Sequence, residues 1–180
     1  MQTIKVVFTG CVGSGKSAAV KVLSDINVVS TDVDASDEVS EKKDQTTVAM
    51  DYGECVIDEE TTIALFGTPG QERFRYMWEI LAQGALGIVI LVDNSREDPL
   101  SDLDIYLDNF ATFIDKSCVV VGVTHTDVAP KPAIHTYHAH LEKRHQHLPV
   151  YTIDAREKSQ VLLLMETLVT ELETLNGANV

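Results

Sequence analysis

At 180 residues, with 44% apolar and 23% charged side chains, the chain is long enough for one domain with a single sizeable core, without disulfide or metal staples. Its 14 Lys and Arg against 28 Asp and Glu leave a formal charge of −14, which argues against nonspecific binding to nucleic acid or to an anionic membrane. The cysteines, Cys11, Cys55 and Cys118, match neither a zinc pattern nor a secreted disulfide framework, so a reducing cytoplasm is the expected location.

Residues 3–9 (TIKVVFT) are β-branched and largely apolar, which predicts a strand covered on both faces. They run into residues 8–17, FTGCVGSGKS, where Gly10, Gly15, Lys16 and Ser17 satisfy the pattern G-x-x-x-x-G-K-[ST]. Beyond the loop, Ala18 and Ala19 favour helix, and Val20, Leu23 and Ile26 recur at helical spacing. A strand, a glycine-rich turn and a helix start in that order present backbone N–H groups to a phosphate. The amides of Gly13, Ser14, Gly15, Lys16 and Ser17 are therefore the expected phosphate cradle. Lys16 is expected to reach the β- and γ-phosphates and Ser17 to ligate Mg²⁺.

Residues 27–45 are crowded with Asp, Ser and Lys and read as exposed loop. Residues 46–57 and 61–66 read as two strands joined as a hairpin at Asp58, Glu59 and Glu60, and residues 84–93 as a buried strand. Residues 102–114 place Leu103, Leu107, Phe110 and Ile114 on one helical face. Then come a strand at 117–123, a helix at 133–147, a short strand at 148–153 and a last helix at 157–175. This alternation predicts an α/β fold, a doubly wound, mostly parallel six-stranded sheet flanked by five helices, in one domain over residues 1–180. The longest apolar run, residues 85–92, is too short to span a bilayer, and neither end carries a lipidation signal, so no stable membrane anchor is expected.

Residues 65–78, LFGTPGQERFRYMW, resemble the switch II segment of Ras-like small GTPases, whose consensus is D-x-x-G-Q-E. The resemblance implies that Gly70 offers its N–H to the γ-phosphate and that Gln71 orients the attacking water, with Gln71 and the phosphate-contacting Lys16 as the catalytic residues. Residues 46–53, TTVAMDYG, resemble the switch I strand of Rab-type members, which implies Thr47 as a ligand of Mg²⁺ and γ-phosphate, with Thr46 the adjacent alternative. Residues 124–127, THTD, are similar to the [NT]-K-x-D guanine motif with His125 in place of Lys. A carboxylate at Asp127 accepts protons from guanine N1 and its 2-amino group, whereas adenine offers a lone pair and no amino group there; the alternative is a loop Asp that caps the next helix. Asp154, Ala155 and Arg156 stand where the family has S-A-K, which implies an Ala155 amide near guanine O6. The five stations cover nearly the whole chain and resemble most the bacterial MglA-like subgroup. That likeness implies a P-loop NTPase of Ras-like fold that cycles between GTP and GDP with Mg²⁺, engages an effector through switches I and II, and takes a roadblock-type activating protein.

Two departures stand out. Gly67 occupies the place of the Asp that holds Mg²⁺ through a water in most relatives, so that role is either weakened or taken over by another carboxylate. Val12 crowds the catalytic Gln, which predicts slow hydrolysis. No Arg precedes Arg73, so switch I supplies no arginine finger; Arg73 and Arg75 read as solvated charges on switch II. Phe74, Tyr76, Met77 and Trp78 divide between core and effector surface. His135, His138, His140, His145 and His147 lack the i, i+4 spacing of a helical metal site. A nucleotide-binding scaffold without turnover and an ATP-dependent small-molecule kinase are the competing function classes.

Overall fold

A computed structural model of the chain describes residues 2–31, 50–114 and 116–177. The elements run β1 (Gln2–Gly10), α1 (Lys16–Leu23), β2 (Val29–Ser30), β3 (Asp51–Val56), β4 (Thr61–Gly67), a 3-10 turn (Glu72–Phe74) and α2 (Arg75–Ala82). They continue through β5 (Gly87–Asp93), α3 (Pro99–Asn109), α4 (Ala111–Ile114), β6 (Cys118–Thr124), α5 (Ile134–Lys143), β7 (Val150–Thr152) and α6 (Lys158–Gly177). The strands form one sheet in the order β2-β3-β4-β1-β5-β6-β7. β1 pairs in parallel with β4 and β5, and β6 lies parallel between β5 and β7, while β3 is antiparallel to both β2 and β4.

Side-chain alternation divides the core between the two faces of this sheet. Val6 and Phe8 of β1 pack with Val89 and Leu91 of β5 beneath α1 and α6, where Val20, Leu23, Val161 and Leu164 close the layer. Val7, Ile88, Ile90 and Val92 point the other way, onto Trp78 of α2, Leu103 and Leu107 of α3, and Tyr137 and Leu141 of α5. Central strands buried on both faces explain the unbroken apolar runs, and the doubly wound arrangement is the one expected.

Among the described residues there are seven strands and six α-helices, in place of six and five. The added strand lies inside the segment read as loop: Val29 pairs with Tyr52 and Ser30 with Asp51, two residues that carry no periodicity to read. The added helix arises from a break. Asp98 caps α3 by accepting from the Ser101 amide at 3.0 Å, with Pro99 in the first turn, so α3 begins earlier than the apolar pattern does. It stops at Phe110, which leaves helical geometry (φ −99°, ψ 6°) as its buried ring stacks on Trp78 with centroids 6.2 Å apart. The hairpin of β3 and β4 forms as read, with Asp51 to Val56 opposite Gly67 to Thr62. Thr46 and Thr47 lie outside the described residues.

β1 stands where the order of connection reverses, with β4 on one side and β5 on the other. In open α/β sheets the crevice at such a switch point, beyond the carboxyl ends of the strands, is where ligands bind. The glycine-rich loop is placed there.

Candidate nucleotide site

The loop between β1 and α1 curls around its own axis because two of its residues adopt left-handed geometry: Gly13 has φ 81° and Gly15, the N-cap of α1, φ 100°. At Gly15 space is short as well, since a Cβ would stand 2.7 Å from the Cβ of Ala155. The phosphate loop and the loop after β7 are thus in van der Waals contact, which brings stations far apart in sequence together. Ser14 joins them differently. Its side chain is buried and faces Gly10, and its carbonyl accepts from Thr124 Oγ1 at 3.0 Å.

Lys16 is buried, and its ammonium donates to the carbonyls of Gly10 at 2.8 Å and Cys11 at 2.7 Å. Burial pushes its pKa down from the ordinary 10.5 to about 8, with Cys11 and Asp51 pulling weakly the other way. The unfolded chain keeps that proton up to the ordinary value, so the empty protein gains stability as pH rises from about 8 toward 10.5. An anion in the loop restores the charge, so binding above pH 8 draws a proton from solvent. Calorimetric titration with GDP at pH 8.5, in buffers of differing ionisation enthalpy, is expected to show net proton uptake; no uptake at that pH contradicts the assignment.

Ser17 Oγ donates to Asp51 Oδ2 at 2.5 Å. Asp51 opens β3, is buried, and joins Val12, Gly13, Lys16, Ser17, Gly70 and Gln71 in lining a cavity of about 220 Å³. Hydroxyl and carboxylate oxygens are hard donors, so this end of the site suits Mg²⁺ better than a softer metal. Among the described residues no three His, Cys, Asp or Glu gather into a self-contained metal site, and His140 instead meets Asp104 at 2.7 Å.

The segment that follows β4 lies over the loop. Gly70 approaches so closely that a Cβ there would stand 2.6 Å from Val12 N and 2.9 Å from Lys16 Nζ. Trp78 fixes this approach by donating from Nε1 to the Pro69 carbonyl at 2.6 Å, its ring packed on Tyr106 and Phe110. The aromatic cluster divides accordingly: Trp78 and Phe74 are buried, and Tyr76 is exposed. Gln71 is exposed at the cavity wall. Arg75 pairs with Glu72, and Arg73 lies over the Phe74 ring, 4.9 Å from its centroid.

The residues expected to face the base converge on a second cavity, of about 560 Å³, lined by Gly13, Gly15, Thr124, His125, Asp127, Asp154, Ala155 and Arg156 among others. Thr124 is buried at the end of β6, and its hydroxyl lies 3.0 Å from the Ser14 carbonyl and 3.2 Å from that of Val92. His125 takes a left-handed φ of 59°, which sets its Nδ1 3.0 Å from Thr124 Oγ1 and 3.2 Å from Asp93 Oδ1. Asp127 is exposed at the cavity, and Arg156 feels its charge. Asp154 braces its turn. Its Oδ1 accepts from the Arg156 amide and Nε, both at 2.9 Å, and the Arg156 guanidinium holds its pKa down to about 2.

Every site residue named from the sequence that lies within the described part, except Gly10 and Ser14, lines one cavity or the other. Gly10 accepts from Lys16, and Ser14 acts through its backbone. Three supporting residues were not named. Asp51 is one. Asn94 is another, donating to the Ala129 carbonyl at 2.6 Å and accepting from Tyr137 Oη at 2.5 Å, which anchors the loop bearing Asp127. Asp93 is the third, accepting from the Ser95 amide at 2.9 Å. The D-N-S run that closes β5 was the available signal, because such residues fold back on their own backbone.

Fold and loop together define a nucleotide-binding P-loop protein with G-domain architecture. A family described as conserved hypothetical ATP binding protein matches residues 27–178, and the chain belongs to that family; the matched span begins beyond the phosphate loop. Ras-related protein Rab-18 of Lymnaea stagnalis is 26% identical over 121 residues, which is 66% of this chain and 54% of that protein. An uncharacterized protein of Methanocaldococcus jannaschii is 40% identical over 50 residues, 28% of this chain and 32% of that one. The matches thus span about half and about a third of those relatives' lengths. Among solved structures, the G domain of the T. maritima FeoB iron transporter superposes with a TM-score of 0.64 at 19% identity, covering 94% of this chain and 98% of that one. No described helix is long and apolar enough to cross a membrane.

Proposed function

We propose that the protein is a GTP-binding switch that hydrolyses GTP slowly and changes partners with γ-phosphate occupancy. The observation that carries this reading is the meeting of Asp127, Ala155 and the phosphate loop around one cavity, with Gly70 and Gln71 over the adjoining one. Asp127 accepts from guanine N1–H and the 2-amino group, and the Ala155 amide donates to O6. The amides from Gly13 to Ser17 hold the phosphate oxygens, with Lys16 supplying the local positive charge. A bound Mg²⁺ would supply positive charge against the terminal phosphates. Ser17 would hold that metal from the loop, and Thr47 is proposed as its second hydroxyl ligand.

Gly70 donates its N–H to the γ-phosphoryl group, so switch II settles differently with and without that group. Gln71 aligns the attacking water. Val12, 59% exposed beside it, restricts that alignment and keeps turnover slow. Tyr76, with Ile80 one turn along α2, presents an apolar strip to an effector. The MglA-like resemblance suggests a roadblock-type protein as activator and the cytoplasm as the place of action. The family's description names ATP, which a site lacking the Asp127 contact would tolerate; the carboxylate favours guanine.

Single-turnover release of phosphate from GTP tests the reading. Gln71→Leu is expected to slow it about 10- to 100-fold, in line with the cost of misplacing a reacting group, and Val12→Gly to speed it. Tight GTP binding with no phosphate released from any of the three proteins would establish a scaffold instead.

A further inference from the structure

Gly67 ends β4 at the phosphate end of the sheet and has no side chain to offer a metal. Its neighbour across the hairpin does. Asp51 is the register partner of Gly67 on antiparallel β3, and its carboxylate fills the space that a side chain on Gly67 would take. A Cβ built there would stand 3.1 Å from Asp51 Oδ2 and 3.2 Å from Asp51 Cβ. A side chain at position 67 would thus crowd the Asp51 carboxylate, and the sequence has placed the acid on β3.

The surroundings of that carboxylate suit a cation. Asp51 is 8% exposed, so its charge is largely withdrawn from water, and burying an uncompensated carboxylate is costly. Among the described residues its hydrogen-bond partner is the Ser17 hydroxyl, and Lys16 is the cation that feels it electrostatically. When a serine hydroxyl ligates a metal through a lone pair, its proton must go to an acceptor. Asp51 Oδ2, 2.5 Å away, already receives it. Asp51 also lines the cavity shared by Lys16, Ser17 and Gly70, where the terminal phosphates belong.

We propose that Asp51 completes the Mg²⁺ site from β3, orienting the Ser17 hydroxyl and holding the metal's hydration shell in the role for which β4 lacks a side chain. Metal affinity then depends on the register of β3 against β4, because a one-residue slip turns Asp51 to the opposite face. This inference rests on the nucleotide reading above, and the experiment separates the two.

Dissociation of N-methylanthraniloyl-GDP from the 180-residue chain is followed in excess Mg²⁺ and in EDTA, and the ratio of the two rates measures the metal's hold. Asp51→Asn preserves size and an acceptor for Ser17 while removing the charge. It is expected to shrink that ratio about 10- to 100-fold, as loss of an outer-shell ligand partner does. The swap Asp51→Gly with Gly67→Asp returns a carboxylate to the same volume from the other strand and is expected to restore most of the ratio; this arm stands even if Asp51→Asn fails to fold. A ratio in Asp51→Asn equal to that of the wild type, or a swap variant that holds the nucleotide without any Mg²⁺ effect, overturns the proposal. A wild-type chain that retains no labelled GDP in either condition overturns the nucleotide reading itself.

Discussion

Lys16→Met is expected to weaken GDP binding at least about 30-fold and GTP binding more, while the empty protein still folds. Truncating one member of a buried, hydrogen-bonded charge pair costs about 2–5 kcal/mol, or roughly 30- to 5,000-fold in affinity. The GTP penalty exceeds the GDP penalty because Lys16 is proposed to reach both the β- and γ-phosphates, and only GTP presents the outer one. The fold tolerates the change because the empty loop keeps this ammonium desolvated, at a pKa near 8, with two carbonyls for company. Methionine fills the same volume without that desolvation. Fluorescent-GDP titration read beside a thermal melt checks both halves, and equal losses for GDP and GTP would remove the γ-phosphate contact from the account.

Asp127→Ala is expected to abolish discrimination between purines. A site built to hydrogen-bond a polar group rejects the analogue lacking it by about 10⁴-fold, because the site's own polar atoms are then left unpaired. With alanine there, GTP loses two charge-assisted hydrogen bonds, about 1.5–3 kcal/mol each, and ATP loses a repulsion. Affinity for GTP should fall about 100- to 10,000-fold and that for ATP rise or stay unchanged. The exposure of Asp127 in the open cavity does not weaken the argument, since a purine seated against Ala155 covers it. Competition of GTP and ATP for the labelled site reads the ratio directly; a variant that still prefers GTP as strongly as the wild type would assign base selection elsewhere.

Much of this arrangement was legible in the chain itself. The phosphate loop declared its spacing and its flanks, and the central strands β1, β5 and β6 declared themselves by apolar runs that only a doubly covered sheet requires. What stayed hidden was long-range register. Gly67 announces a missing acid, but nothing in the order of residues says that Asp51 lies opposite it; only the paired strands of the hairpin do. The broken helix was hidden for a similar reason. Phe110 fits the apolar period of a continuous helix, and its departure from helical geometry accompanies packing on Trp78, a residue of α2. Thr124 was legible as a motif residue, yet its tie to the Ser14 carbonyl belongs to tertiary structure alone.

The central claim is that a glycine turn at residues 10–17 and a carboxylate at Asp127 seat one guanine nucleotide between them. Displacement of N-methylanthraniloyl-GDP from the wild-type chain by unlabelled GTP and by ATP, in Mg²⁺, addresses it most directly. The account predicts displacement by GTP at concentrations about 10³-fold or more below those ATP needs. Equal displacement by the two, or no labelled nucleotide held at all, would contradict it.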